Sequence, residues 1–287
     1  LIAAPTRSAV HAADVELATW CWGSPGAPTI VLVHGWADTG ASFAAVASEL
    51  ARDFRVIAPD LRGFGESGWA AQGYWFPDYL RDLDAVFESS LVDGPVTLVG
   101  HSMGGNVCGL YAGVRAARIA SLVLLEGFGM PDSRPADAPR RYAAWLDQQR
   151  ETFSWRDFTS FDALLGHLRK LAPQAADEVL AQVAHCWARP VDGGWRLKMD
   201  PRHKLMNAVL YRRAEAVACW QATTAPVLLA AGDASDFRDR FRGLDPLQDA
   251  ATHYRTCRVE TVARAGHMMH WEQPARVAEL IRSAVPG

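Results

Sequence analysis

One stretch constrains the chain more than any other. The apolar run Val96-Thr97-Leu98-Val99 passes directly into Gly100-His101-Ser102-Met103-Gly104, and apolar residues at helical spacing follow from Asn106 to Ala117. This puts a G-x-S-x-G turn in the strand–turn–helix setting that gives the motif its meaning. The bend is so sharp that the serine takes a strained backbone. A Cβ on the flanking residues would collide with the adjoining strand or helix, a demand that Gly100 and Gly104 meet. The helix that starts after Ser102 also turns its free N–H groups and positive dipole end toward the place where an oxyanion would form. A serine in a Gly-rich turn is common on its own, so the rest of the chain has to decide its meaning.

Short β-rich runs alternate with helix-like segments, the pattern of crossover connections that build a mostly parallel sheet. Strands are expected at Val15 to Trp22, Thr29 to Val33, Phe54 to Ala58, Val96 to Val99, Leu122 to Leu125, Val227 to Ala230 and Arg258 to Val262. Between them Phe43 to Leu50, Tyr79 to Phe87 and Asn106 to Ala117 have helical periodicity and are expected to cover the two sheet faces. About one hundred residues separate Leu125 from Val227, far more than an ordinary αβ loop, so that segment must hold its own structure. Arg140 to Gln149, Phe161 to Leu171 and Ala176 to Trp187 read there as amphipathic helices, with Pro173 and Pro190 as breakers. The expected organisation is a core of residues 1–129 and 221–287 with a helical cap of residues 130–220.

The chain has 287 residues, 49% of them apolar and 21% charged, which suits one core with an insertion. A formal net charge of −3 gives no electrostatic reason to bind nucleic acid or an anionic membrane. No apolar run approaches the roughly 20 residues that a membrane span needs, so a soluble, cytoplasmic protein is expected. Because the sequence starts at Leu1 without methionine, a trimmed N-terminal segment, a signal peptide included, stays open. Five scattered cysteines (Cys21, Cys108, Cys186, Cys219 and Cys257) without C-x-x-C spacing suggest neither a disulfide framework nor a zinc site. They are expected to be small buried apolar groups.

Three further segments stand in fixed order around the serine turn: His34-Gly35-Trp36 after a buried run, Asp60-Leu61-Arg62-Gly63-Phe64-Gly65-Glu66-Ser67, and Gly266-His267 near the C-terminus. On these four matches, over nearly its whole length, the chain resembles the α/β-hydrolase superfamily, and within it the capped esterase and lipase-like members. The resemblance implies a mostly parallel central sheet flanked by helices, with Ser102 as nucleophile. It also implies an oxyanion hole built from the backbone N–H groups of Trp36 and Met103. Losing one such donor typically costs ~10²–10³ in kcat. In the D-x-R-G-x-G-x-S loop, Arg62 and Ser67 are expected to tie the chain down rather than do chemistry. His34 and His101 are expected to be structural, and Asp38 a solvent-exposed loop acid.

His267 is the expected base, since an imidazole can take the serine proton and return it to a leaving group near neutral pH. His270 fits a packing role better. No H-E-x-x-H-like cluster surrounds His267, His270 and Glu272, so no metal is expected, and no cofactor is implied. The third member should be a carboxylate that fixes the imidazole tautomer. Many relatives carry it as G-x-x-D after the strand equivalent to Val227 to Ala230, but Gly232-Asp233-Ala234-Ser235-Asp236 has Ser235 at that spacing. Another branch places the acid at the end of the preceding strand, where Glu126 stands 24 residues after Ser102. A carboxylate closing an apolar strand is costly to bury without a purpose, so Glu126 is favoured over Asp236 and Asp233.

The expected activity is hydrolysis of a small to medium, mainly apolar ester, thioester or lactone through an acyl-enzyme. Serine at position 102 argues against dehalogenation or epoxide opening, which need a carboxylate nucleophile. Carbon–carbon bond hydrolysis and perhydrolysis use the same residues and stay open. So does a non-catalytic small-molecule receptor on the same fold.

Overall fold

A computed structural model describes residues 4–71, 73–241 and 243–286. Its strands are β1 (Thr6–Ala12), β2 (Val15–Trp22), β3 (Thr29–Val33), β4 (Arg55–Pro59), β5 (Val96–His101), β6 (Ile119–Leu125), β7 (Ala188–Val191), β8 (Gly194–Leu197), β9 (Val227–Gly232) and β10 (Cys257–Val262). The helices are α1 (Ala44–Leu50), α2 (Phe76–Glu88), α3 (Met103–Val114), α4 (Ala138–Gln148), α5 (Phe161–Leu171), α6 (Asp177–Trp187), α7 (Arg213–Ala222), α8 (Pro246–His253), α9 (Met269–Glu272) and α10 (Pro274–Ala284).

Eight strands form one sheet in the order β1-β2-β4-β3-β5-β6-β9-β10. Strands β1, β2 and β4 pair antiparallel, and every pairing from β4 to β10 is parallel. The centre follows from composition: β5 is buried along its whole length and β3 is buried after Thr29, as β-branched runs covered on both faces should be. One face packs Leu83, Val107, Tyr111 and Trp220 from α2, α3 and α7. The other packs Val46, Leu50, Val277 and Ile281 from α1 and α10.

The seven expected strands are present, each within a few residues of its reading. Strand β1 was not foreseen, because an edge strand of small and polar residues buries only alternate positions and carries a weak signal. The segment between β6 and β9 holds α4 to α7, and also a β7–β8 hairpin that the helical reading missed. Pro190, read as a breaker, lies within β7 of this two-stranded ribbon, where an edge tolerates a missing N–H. The cysteines are all free, but only Cys108 is fully buried, the other four being half-buried. Among the described residues, no helix is long and apolar enough to cross a membrane.

The inserted segment docks on the Asp60 to Ser67 loop. Gly65 N–H donates to Lys198 O at 2.7 Å and Asp200 N–H to Gly63 O at 2.9 Å. The loop is itself tied down by the residues expected to do so. Arg62 makes a two-pronged contact with Asp82 at 2.8 and 2.5 Å, and the Ser67 hydroxyl donates to Asp60 O at 2.6 Å. His203 is sandwiched between the rings of Phe64 and Tyr74, at centroid distances of 3.9 and 3.7 Å.

Burial in that sandwich pushes the His203 pKa down to about 3. A group with a lowered folded-state pKa binds its proton only in the unfolded chain below pH 6.5, so stability falls as pH drops from 6.5 toward 3. We expect this side chain to contribute about 1.4 kcal/mol of lost stability per pH unit in that window. Urea melts of wild type and His203→Gln between pH 7 and 4 check this. A difference in stability that does not change with pH would refute it.

Candidate active site

The C-terminal ends of β3, β5, β6 and β10 converge on one point, the usual ligand edge of a parallel sheet. Ser102 occupies the turn between β5 and α3 with φ 52° and ψ −117°. Its N–H donates to Leu125 O at 2.8 Å, so the bend is pinned to the neighbouring strand. Space explains the glycines. A Cβ on Gly104 would lie 2.4 Å from both Val33 O and His34 O, and one on Gly100 would lie 2.6 Å from Gly104 O. Among the described residues five non-glycines have positive φ, and four lie around this point: Ala37, Ser102, Glu126 and Arg264. Backbone strain of this kind persists only where the surroundings impose it.

Ser102, His267 and Glu126 form one hydrogen-bonded line. Ser102 Oγ is 3.0 Å from His267 Nε2, and His267 Nδ1 is 3.1 Å from Glu126 Oε2. Glu126 is buried, with 1% of its surface exposed, and its other bonds are accounted for. Gly232 N–H donates to Oε1 at 3.0 Å, and the Ser235 hydroxyl donates to Oε2 at 2.8 Å. Ser235 is the residue at the G-x-x-D spacing; here it supplies a hydroxyl to the carboxylate that comes from β6. The other two carboxylates point elsewhere. Asp233 is exposed and accepts from Ala265 N–H at 3.2 Å, while Asp236 is exposed at the start of a short 3-10 turn. Phe237, next in the chain, stacks on the His267 ring at 4.5 Å.

With a carboxylate on Nδ1, the imidazole keeps its proton there and presents a bare Nε2 to the serine hydroxyl. Trp36 and Met103 both line a cavity of about 180 Å³ beside the serine turn. Gly35 lets the first of them come close, since a Cβ there would stand 3.1 Å from Ser102 Cβ. Trp75, Phe76 and Asn207 are walls shared with a larger cavity of about 830 Å³, whose lining is mainly apolar. Trp36 is half-exposed and meets Trp155 of the inserted segment edge-on at 6.3 Å.

The histidines expected to be structural are fully partnered or buried beside the line. His34 donates from Nδ1 to Gly35 O and accepts Leu61 N–H at Nε2, both at 2.8 Å, and burial lowers its pKa. His101 faces the carbonyl of His267 through Nε2 at 2.8 Å. Asp38 corrects the reading as a solvated loop acid. It is 1% exposed, bonded to His270 Nε2 at 3.0 Å and to the Trp187 indole N–H at 3.0 Å. Nothing local in the sequence marks it, because its partners lie 149 and 232 residues away.

Residues 28–274 match the family model described as the alpha/beta hydrolase fold, and the chain belongs to that family. A 3-hydroxybutyrate-oligomer hydrolase of Cupriavidus necator is 30% identical over 90% of this chain and 88% of its own length. Esterase Rv0045c of Mycobacterium tuberculosis is 27% identical over 92% of this chain and 84% of its own. A serine hydrolase-like protein of Danio rerio is 27% identical over 68% of this chain, which spans 61% of that protein. Among solved structures, a thioesterase domain from the curacin biosynthetic pathway superposes with a TM-score of 0.88 at 26% identity, covering 98% of this chain and all of that one. The enzyme class these matches define is a hydrolase acting on ester bonds.

Proposed function

We propose that the chain is a serine hydrolase that opens a small to medium, mainly apolar carboxylic ester, thioester or lactone through an acyl-enzyme. The observation that carries the reading is the unbroken line from Ser102 Oγ through His267 to Glu126, at 3.0 and 3.1 Å. In this reading Ser102 Oγ attacks the acyl carbon as its proton passes to His267 Nε2. The N–H groups of Trp36 and Met103 stabilise the oxyanion, and His267 then protonates the leaving alcohol or thiol. Water repeats the sequence to release the acid. Glu126 holds the Nδ1 proton and offsets the charge that develops on the imidazolium.

The segment 130–220 acts in this proposal as a cap that encloses the substrate. Support comes from the cavity of about 180 Å³ lined by Trp36 and Met103, which shares Trp75, Phe76 and Asn207 with a mainly apolar one of about 830 Å³ that would hold an acyl or alcohol part. Helix α7, at the end of that segment, packs Trp220 into the main core, so the covering part is α4 to α6 with the β7–β8 hairpin.

A fluorophosphonate probe should label Ser102 stoichiometrically, located by peptide mass analysis. A p-nitrophenyl ester series from acetate to decanoate, run beside 3-hydroxybutyrate oligoesters and acyl thioesters, then ranks substrates by kcat/KM. Medium chains should exceed acetate by ~10-fold or more, since each buried methylene contributes about 0.8 kcal/mol. Labelling with no turnover of any acyl substrate would replace this reading with a receptor.

A further inference from the structure

Behind the catalytic line lies a second set of titratable side chains that the proposed reaction does not use. Asp38, His101 and His270 are all buried, and one nitrogen of each ring and one carboxylate oxygen lie within 4.8 Å of one another. Asp38 accepts from Thr39 N–H at 2.8 Å, from Trp187 of α6 at 3.0 Å and from His270 Nε2 at 3.0 Å. His270 packs between the tilted rings of Phe43 and His101, at 4.6 and 4.3 Å between ring centres. His101 in turn faces the main-chain carbonyl of His267 through Nε2 at 2.8 Å.

Tautomers follow from these partners. A carbonyl only accepts, so His101 Nε2 carries a proton and its Nδ1 is a bare lone pair. A carboxylate only accepts, so His270 Nε2 also carries a proton. If both rings are neutral, two bare Nδ1 atoms are left in a buried space, and neither has a hydrogen-bond partner among the described residues. The carboxylate of Asp38 would also be a fully buried anion without a counter-charge, an expensive arrangement. One additional proton removes the last of these costs. Placed on His270 Nδ1 it gives Asp38 a cation to face, 3.0 Å from the His270 Nε2, while His101 Nδ1 stays a lone pair beside the charged ring, at 4.3 Å between ring centres.

We infer that Asp38 and a doubly protonated His270 form a buried ion pair that, packed against the His101 ring, positions the base against the oxyanion loop. These are positioning residues. His101 bonds the turn that carries His267, and Asp38 lies two residues beyond Trp36, so one packed cluster holds base and oxyanion donor in mutual register. Contact with Trp187 extends the same set to the inserted segment. The titratable groups around His270 are Asp38 and His34 from the β3 loop and His101 from β5, with His267 against the far side of His101 and Cys186 of α6 near Asp38. Asp38 is the negative charge bonded directly to the ring.

The inference rests on the proposed role of His267, so its test has one arm that needs no catalysis. Nitrogen-15 NMR of histidine-labelled wild type at pH 7 should show His270 protonated on both ring nitrogens and His101 on one, with assignment from His270→Gln. In Asp38→Asn the His270 signal should revert to a singly protonated ring. For ester hydrolysis by that variant we expect kcat to drop ~10–100-fold while KM stays within about twofold, as for a misplaced base. A neutral His270 in the wild type overturns the proposal, whether or not the variant folds. So does Asp38→Asn with wild-type kcat. A doubly protonated His270 in a protein that no acyl substrate acylates would instead refute the triad and leave the buried ion pair standing.

Discussion

Ser102→Ala is expected to lower kcat for a p-nitrophenyl ester by ~10⁶, leaving only the slow reaction that binding and the oxyanion donors support. The reasoning is local. Oγ is the one atom removed, it lies 3.0 Å from His267 Nε2, and no other hydroxyl bonds that nitrogen among the described residues. Substrate binding should survive, so a competitive ligand titrates both proteins alike. The fold should survive too, since Ser102 N–H still donates to Leu125 O. A companion variant separates chemistry from strain. At φ 52° and ψ −117° a side chain costs of order 1–3 kcal/mol, and glycine relieves part of that. Ser102→Gly should therefore be as inactive as the alanine variant and melt at a higher temperature. Hydrolysis within tenfold of wild type in either variant would end the assignment of Ser102 as nucleophile.

What could be read from the sequence, and what could not, divides along the distance over which each feature is encoded. The G-x-S-x-G turn announces itself because strand, bend and helix adjoin in the chain and the steric need for Gly100 and Gly104 is local. The expectation that His267 is the base rests on its glycine and the helix that follows, both local in the chain. The central strands were legible because buried parallel strands are nearly unbroken apolar runs, as β3 and β5 are. Asp38 was misread for the opposite reason. An aspartate two residues past a loop tryptophan looks solvated, and only long-range packing brings Trp187 and His270 to its oxygens. The β7–β8 hairpin was lost because Pro190 weakens a strand pattern that an edge position in fact allows. Ser235 was noticed as a departure from a family spacing, yet its purpose required a partner 109 residues earlier in the chain.

That partner decides the second large effect. Glu126→Gln is expected to lower kcat by ~10⁴ with the fold intact, while Asp233→Asn and Asp236→Asn stay within a fewfold of wild type. Three donors converge on the Glu126 carboxylate: Gly232 N–H at 3.0 Å, the Ser235 hydroxyl at 2.8 Å and His267 Nδ1 at 3.1 Å. A glutamine cannot accept from all three. With its oxygen toward Gly232, its NH₂ faces His267 and forces the imidazole into the other tautomer, so Nε2 carries a proton and cannot take one from Ser102. With the amide reversed, NH₂ meets Gly232 N–H and leaves two buried donors opposed, a loss of stability of about 1–3 kcal/mol. Either way the amide is wrong for this pocket, whereas exposed Asp236 loses only solvated charge and Asp233→Asn keeps an oxygen that can accept from Ala265 N–H. Removing the Ser235 hydroxyl in Ser235→Ala should cost far less than the amide, because Nδ1 retains its acceptor and the carboxylate loses one donor of three. Steady-state rates of the four variants on one ester, with fluorophosphonate labelling to count competent sites, give the comparison. A normal rate for Glu126→Gln beside a collapse at Asp233 or Asp236 would move the acid to the loop after β9.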